Sequence, residues 1–233
     1  MASKDPHSIF VETNTLRRII SDVREIKKNP LTSHGIYYEH DETDMMQGKA
    51  LIIGPAGTPY EDGFYLFAIK FPTNYPHGPP EVKFCTGDGY TRFNPNLYRN
   101  GKVCLSILNT WRGEPWSGCQ TLSSVLLAIC MVLNAEPLLN EPGILKSHQD
   151  FDNYNAILHY KNIEVAILGI LANLNYQPDY EFAIFGPIIR EHFLKTKEKI
   201  REKVSSAESA SVGIIMYKMN VFMDYPALLA KLE

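Results

Sequence analysis

The stretch FNPNLYRNGKVCLSIL, residues 93–108, decides how this chain is read. It sets one cysteine, Cys104, after the turn-forming pairs Asn94-Pro95 and Asn100-Gly101, and just before a short apolar run that leads to Trp111 and Trp116. Such turn chemistry carries side-chain amides and backbone N–H groups close to the thiol. Two readings of Cys104 stand side by side. Cysteine is among the most buried residue types, so VCLSIL reads as a strand edge with a core thiol. An amide within reach, by contrast, is what a tetrahedral oxyanion needs. The stretch holds no histidine to serve as a local base, which favours exchange of an already activated thioester over peptide hydrolysis.

Outward from that stretch, the rest of the chain limits the function classes. At 233 residues with 45% hydrophobic side chains, the chain can form one large domain, or one of about 150 residues with an extension. A formal charge of -3 and an isoelectric point near 6.2 supply no basic field for a phosphate backbone, so a protein partner is expected and nucleic acid is not. MASKDPHSIF lacks the apolar centre of a secretory signal, and no membrane span is expected, so a cytoplasmic protein, with access to the nucleus, is the expectation. The four cysteines form no C-x-x-C pair and the seven histidines are scattered, so no metal site is expected. Of the other thiols, Cys130 and Cys85 read as core residues and Cys119 as exposed.

Before the quoted stretch, Leu16, Ile19, Ile20, Val23 and Ile26 make a helical stripe that leaves Arg17, Arg18, Asp22, Arg24 and Lys27 for water and ends at Asn29-Pro30. Four short β-branched and aromatic segments follow, at 36–40, 47–53, 63–71 and 81–85, separated by Gly- and Pro-rich turns. A helix and a four-stranded antiparallel meander are predicted, hence an α+β fold. Beyond it, 121–133 reads as a helix apolar nearly all round, and therefore central, with Thr121 as its N-cap. From Phe151 the texture changes: one helix begins there, a second spans about 179–203, and an extended piece with a terminal helix closes the chain. Two features read as plain surface. In KTKEKIREK (195–203) the glutamates interleave with the cations at i,i+4 spacing, giving a solvated face, and Gly87-Asp88-Gly89 lacks the context of a phosphate loop.

The order of LRRIISDVREIKKNP, GPAGTPYEDGFYLFAIKFPTNYPHGPPEVKF, NPNLYRNGKVCLSIL, WS and NEPG resembles that of the ubiquitin-conjugating (E2) enzymes over about residues 13–146. The chain looks most like the large E2 class that pairs with the second, dual-specificity ubiquitin-activating enzyme (E1). The resemblance implies a ubiquitin-conjugating core at 13–150 with a mainly helical extension at 151–233. It implies that Cys104 takes ubiquitin or a ubiquitin-like modifier from an E1 as a thioester, with Asn96 as the amide that steadies the oxyanion or its loop. Glu141, with Asn140 beside it, falls at the acidic gate for the incoming lysine, and Tyr98 matches a tyrosine that flanks the same channel. Arg17 and Arg18 fall where the first helix meets E1. No cofactor is implied, since ATP is used by the partner E1. The chain departs from the family pattern where ligases (E3) dock: His77 replaces the common aromatic, and Gly118-Cys119 replaces a proline-alanine, which implies a restricted or unusual ligase set, or direct substrate choice by the extension. The competing reading is a silent E2-like binding module.

Overall fold

The computed structural model describes residues 11–232; MASKDPHSIF lies outside them, and with it the reading of that stretch as lacking a signal. Helix α1 spans Thr13–Lys28, and four antiparallel strands follow, β1 (Ile36–His40), β2 (Gln47–Ile53), β3 (Phe64–Lys70) and β4 (Glu81–Phe84), paired in chain order. The meander is the predicted one, with ends shifted by a residue or so. Its middle strands are covered on both faces: Ala50, Leu51, Ile52, Phe64, Tyr65, Leu66 and Phe67 are all fully buried. A run buried on both sides is continuous rather than alternating, which is why these segments are so uniformly apolar.

Two sequence expectations fail in the first half, each for a physical reason. Asp22 is not left for water but is 5% exposed, because Arg18 pairs with it at 2.9 Å, the Tyr75 hydroxyl donates to it, and the Leu122 N–H points at the same carboxylate. A buried carboxylate needs such partners to offset its lost hydration. Helix α2 (Leu122–Val132) starts at the predicted Thr121, whose side chain forms a capping box with Ser124. It is central on one face only, however. Leu122, Val125, Leu126 and Ile129 are buried on one face, Met131 on the other is 77% exposed, and Cys130 is only half-buried against the His34 carbonyl.

In the second half, α3 (Phe151–Lys161) runs through a π-helical turn (Asn162–Gly169) into α4 (Ile170–Tyr176). By length and composition this 26-residue helix could cross a membrane, contrary to expectation, yet Tyr154, Ile157, Leu158, Ala166, Ile167 and Ile170 are spent on the core of the fold. Widened turns of this kind let one inward side chain reach further than an α-helix permits. Here that side chain is Asn162, which accepts from the Tyr65 hydroxyl at 2.6 Å and donates to the Glu61 carbonyl at 2.8 Å. Gly63 leaves room for it: a Cβ there would lie 1.9 Å from Asn162 Oδ1.

The next helix, α5 (Gly186–Ser205), starts later than predicted, because Phe182 and Phe185 drop into the core from a short 3-10 turn before it and Pro187 sets its first turn. Its charged stretch is an exposed face, as predicted, but some of its side chains also tie the helix to the loop before β3. Lys199 reaches Glu61 at 2.8 Å and Asp62 at 3.0 Å, Lys203 reaches Glu61 at 2.5 Å, and His192 meets Asp62 at 3.0 Å. The predicted extended piece is a hairpin of β5 (Ala210–Ile214) and β6 (Met219–Met223), which buries Met219, Val221 and Met223 and turns at Lys218 with φ 50°. Helix α6 (Tyr225–Leu232) follows it. The extension thus packs along the first 150 residues rather than standing apart from them.

Candidate active site around Cys104

The loop between β4 and α2 is held by its own polar groups. Gly101 turns it at φ +88°, where a Cβ would press to 2.8 Å on the Phe84 carbonyl, so only glycine fits. Three residues on, Cys104 and Asn96 bond reciprocally: the Cys104 N–H donates to the Asn96 carbonyl at 2.8 Å, and Asn96 Nδ2 donates to the Cys104 carbonyl at 2.7 Å. The chain on either side is therefore clasped at the thiol. Thr110 secures the far side, accepting from the Leu105 N–H at 2.9 Å and donating to the Val103 carbonyl at 2.8 Å. Cys104 is 1% exposed and Asn96 7%.

Behind this clasp runs a chain of amides. Asn94 Oδ1 accepts from the Asn96 N–H at 2.9 Å, and Asn94 Nδ2 donates to the Tyr60 hydroxyl and the Val132 carbonyl, each at 2.7 Å. Asn140 Nδ2 reaches Asn94 Oδ1 at 3.3 Å and the Val132 carbonyl at 3.1 Å, while its own Oδ1 accepts from Asn134 at 2.9 Å. Fully buried Asn94 is thus the keystone of a network that ties Cys104 to α2 and to the Pro137–Asn140 turn. Asn140 works inside that network and faces inward. Its neighbour Glu141 faces the other way and accepts from the Tyr217 hydroxyl at 2.7 Å.

Tyr98 is engaged as well. The Arg92 guanidinium lies 3.3 Å from its ring centre and 5.4 Å from that of Tyr217, and donates to the Asn94 and Pro95 carbonyls at 3.0 and 2.7 Å. Burial, then the hydrogen bond and charge of Glu141, raises the Tyr217 phenol well above its ordinary range, so it stays a donor. Sequence reasoning missed Arg92, Tyr217, Asn94's partners and Asn134. For Tyr217 no local signal existed, since it lies 76 residues from Glu141.

The remaining candidates lie at one end of the molecule. Arg17 is exposed on α1. Arg18 is not, because beyond Asp22 it donates to the Gly118 carbonyl at 2.8 Å and the Gln120 carbonyl at 2.6 Å. His77, Gly118 and Cys119 are exposed together, with Trp116 bonding the Pro76 carbonyl at 2.7 Å beneath them. Asn109, Thr110, Trp111, Arg112 and Pro142 border an open cavity of about 630 Å³ between the segment after Cys104 and the residue after Glu141.

A sequence profile described as "Ubiquitin-conjugating enzyme" matches residues 18–162. Ubiquitin-conjugating enzyme E2 Z of Xenopus tropicalis is 43% identical over 195 residues, which is 82% of this chain and 62% of that protein. The human protein of the same name is 45% identical over 159 residues, covering 67% of this chain and 44% of its own length. The human dual E2 ubiquitin-conjugating enzyme/E3 ubiquitin-protein ligase BIRC6 is 37% identical over 182 residues, 72% of this chain but 4% of that protein. The chain spans less than two thirds of the length of each of these relatives. The profile covers more than half of the sequence and meets the helix, the four-stranded meander and the Cys104 loop in order, so the chain belongs to the ubiquitin-conjugating enzyme (E2) family.

Proposed function

We propose that the chain accepts ubiquitin, or a ubiquitin-like modifier, from an E1 as a thioester on Cys104 and passes it to a substrate lysine or to an E3. The observation that carries this reading is the reciprocal bonding of Cys104 and Asn96. It fixes the backbone at the thiol and leaves Asn96 with a second amide hydrogen and a buried Oδ1 that has no partner. In the transfer step a neutral lysine nitrogen attacks the thioester carbonyl carbon, the C–N bond forms, the C–S bond breaks, and the sulfur leaves as thiolate while the nitrogen passes its proton to the Glu141 carboxylate and on to solvent. In this reading Asn96 steadies the oxyanion or the loop, and Glu141 receives the lysine. Arg17 on α1 serves E1, and the exposed surface of His77, Gly118 and Cys119 serves an E3. The protein needs no cofactor of its own, ATP being used by E1, and acts in the cytosol or nucleus, where thiols stay reduced.

The burial of Cys104 favours a second reading, a silent module that binds partners without carrying the modifier. A non-reducing gel after incubation with ubiquitin, ATP and each of the two ubiquitin-activating enzymes separates the two. A thiol-sensitive adduct that disappears in Cys104→Ala supports the transferase and identifies its E1. No adduct with ubiquitin or with a ubiquitin-like modifier supports the module.

A further inference from the structure

The hairpin of the extension lies against the Cys104 loop at several points. Asp150, 4% exposed, accepts the Ile215 and Met216 N–H groups at 3.1 and 2.9 Å and so fixes the hairpin turn. Arg99 donates to the Tyr217 carbonyl at 2.6 Å, the Arg92 N–H meets the Met219 sulfur at 3.2 Å, and Asn220 exchanges backbone bonds with the Tyr90 hydroxyl. The Tyr217 ring is further held by Tyr154, 5.5 Å away between centres, and by the Arg92 guanidinium that also covers Tyr98. At the end of this restrained ring the hydroxyl meets Glu141 Oε2.

We propose that Tyr217 is a positioning residue for lysine transfer: it orients the Glu141 carboxylate, so the C-terminal hairpin is a working part of the active site and not only a cover for the fold. This rests on the thioester reading above. A carboxylate on a short turn has free rotation unless something holds it, and each rotamer points its charge elsewhere. With Oε2 engaged by a fixed phenol, Oε1 is left for the N–H groups of an incoming lysine. Orientation of that kind contributes to the rate of attack while doing nothing for the delivery of the modifier to Cys104. The phenol cannot act as the base itself, because its buried position beside a carboxylate keeps it protonated.

The test uses the full chain, loaded with fluorescent ubiquitin, freed of further E1 turnover by chelating magnesium, and discharged onto free lysine at rising concentrations. For Tyr217→Phe, which keeps the ring over Arg92, loading and slow hydrolysis of the thioester are expected to match the parent. The maximal rate of discharge to lysine is expected to fall about 10-fold, the size associated with one hydrogen bond to a charged group, with the half-saturating lysine concentration little changed. Glu141→Gln should fall as far, and the double variant no further, since the tyrosine acts only through the glutamate. Undiminished or faster discharge from Tyr217→Phe, or losses that multiply in the double variant, would overturn the proposal while leaving the thioester reading intact. If Tyr217→Phe loads poorly, discharge is read per loaded molecule: a rate equal to the parent's overturns the proposal, and a fall that Glu141→Gln matches and the double variant does not exceed supports it. A parent protein that never forms the adduct overturns both.

Discussion

Cys104 and Asn96 bond to each other twice, once through the Cys104 N–H and once through the Asn96 amide. The two bonds differ in what a substitution can remove. Asn96→Ala deletes the side-chain bond and its second amide hydrogen but keeps the main-chain bond. Discharge to lysine should fall by about 10²- to 10³-fold, the usual cost of an oxyanion donor, while hydrogen exchange at the Cys104 amide stays slow. Rapid exchange there would mean that the side chain, and not the main chain, holds the loop.

Asn140 stands next to Glu141 yet bonds inward, to Asn94, Val132 and Asn134. Asn140→Ala should therefore act on stability: a urea titration should show a loss of about 1–3 kcal/mol, the penalty for unpaired buried amides, with discharge per loaded molecule kept within a few fold. A collapse of discharge at unchanged stability would place Asn140 among the reacting groups.

The charges that pin α5 make stability depend on pH. Burial pushes the Asp62 carboxyl up, but hydrogen bonds from His192 and Lys199 outweigh it and hold the group below the usual carboxylate range. A depressed folded-state value means that the stabilisation is present above the unfolded carboxylate range, about pH 4, and is lost as pH falls through the folded one. Asp62 sits at φ 65°, which asparagine also accepts, so Asp62→Asn tests the charge alone. Its deficit should be about 2 kcal/mol at neutral pH and should shrink toward nothing below about pH 4, read from melting curves across that range.

Adding one methyl group at Gly63 strikes Asn162 Oδ1, and that side chain joins the sheet to the extension through Tyr65 and Glu61. Gly63→Ala should cost about 1–3 kcal/mol in chemical denaturation, as overpacking does in a close-packed interior. A variant as stable as the parent would show that the π-helical turn yields easily.

Thiol exposure gives a direct check on the four cysteines. Cys119 is exposed, Cys104 is 1% exposed, and burial raises the Cys85 and Cys130 thiols. Alkylation of the free protein near neutral pH should show one fast phase that vanishes in Cys119→Ser and persists in Cys104→Ala.

The first 150 residues were largely legible because each element announces itself locally: a helical stripe, four segments bounded by Gly and Pro, and Thr121 before an apolar run. The stripe misled at Asp22 and Arg18, whose partners Tyr75, Leu122, Gly118 and Gln120 are remote in sequence. The apolar character of α2 measured composition rather than burial, as exposed Met131 shows. In the extension, MYKMNVFM alternates along β6, but pairing with β5 depends on a turn without glycine, at Lys218, so only an extended piece could be read. Among the candidate site residues, Cys104, Asn96 and Glu141 were named by resemblance. Tyr217, Arg92 and the inward role of Asn140 were not, because they are defined by contacts between distant segments.

Arg18 donates to the carbonyls of Gly118 and Gln120, so the first helix and the loop before α2 share one guanidinium. A protein that grips α1 and draws that side chain to itself would release the loop carrying Cys119, and one that reshapes the loop would free Arg18 for the helix. Two partners using these neighbouring surfaces would then compete even without touching, because one side chain cannot serve both.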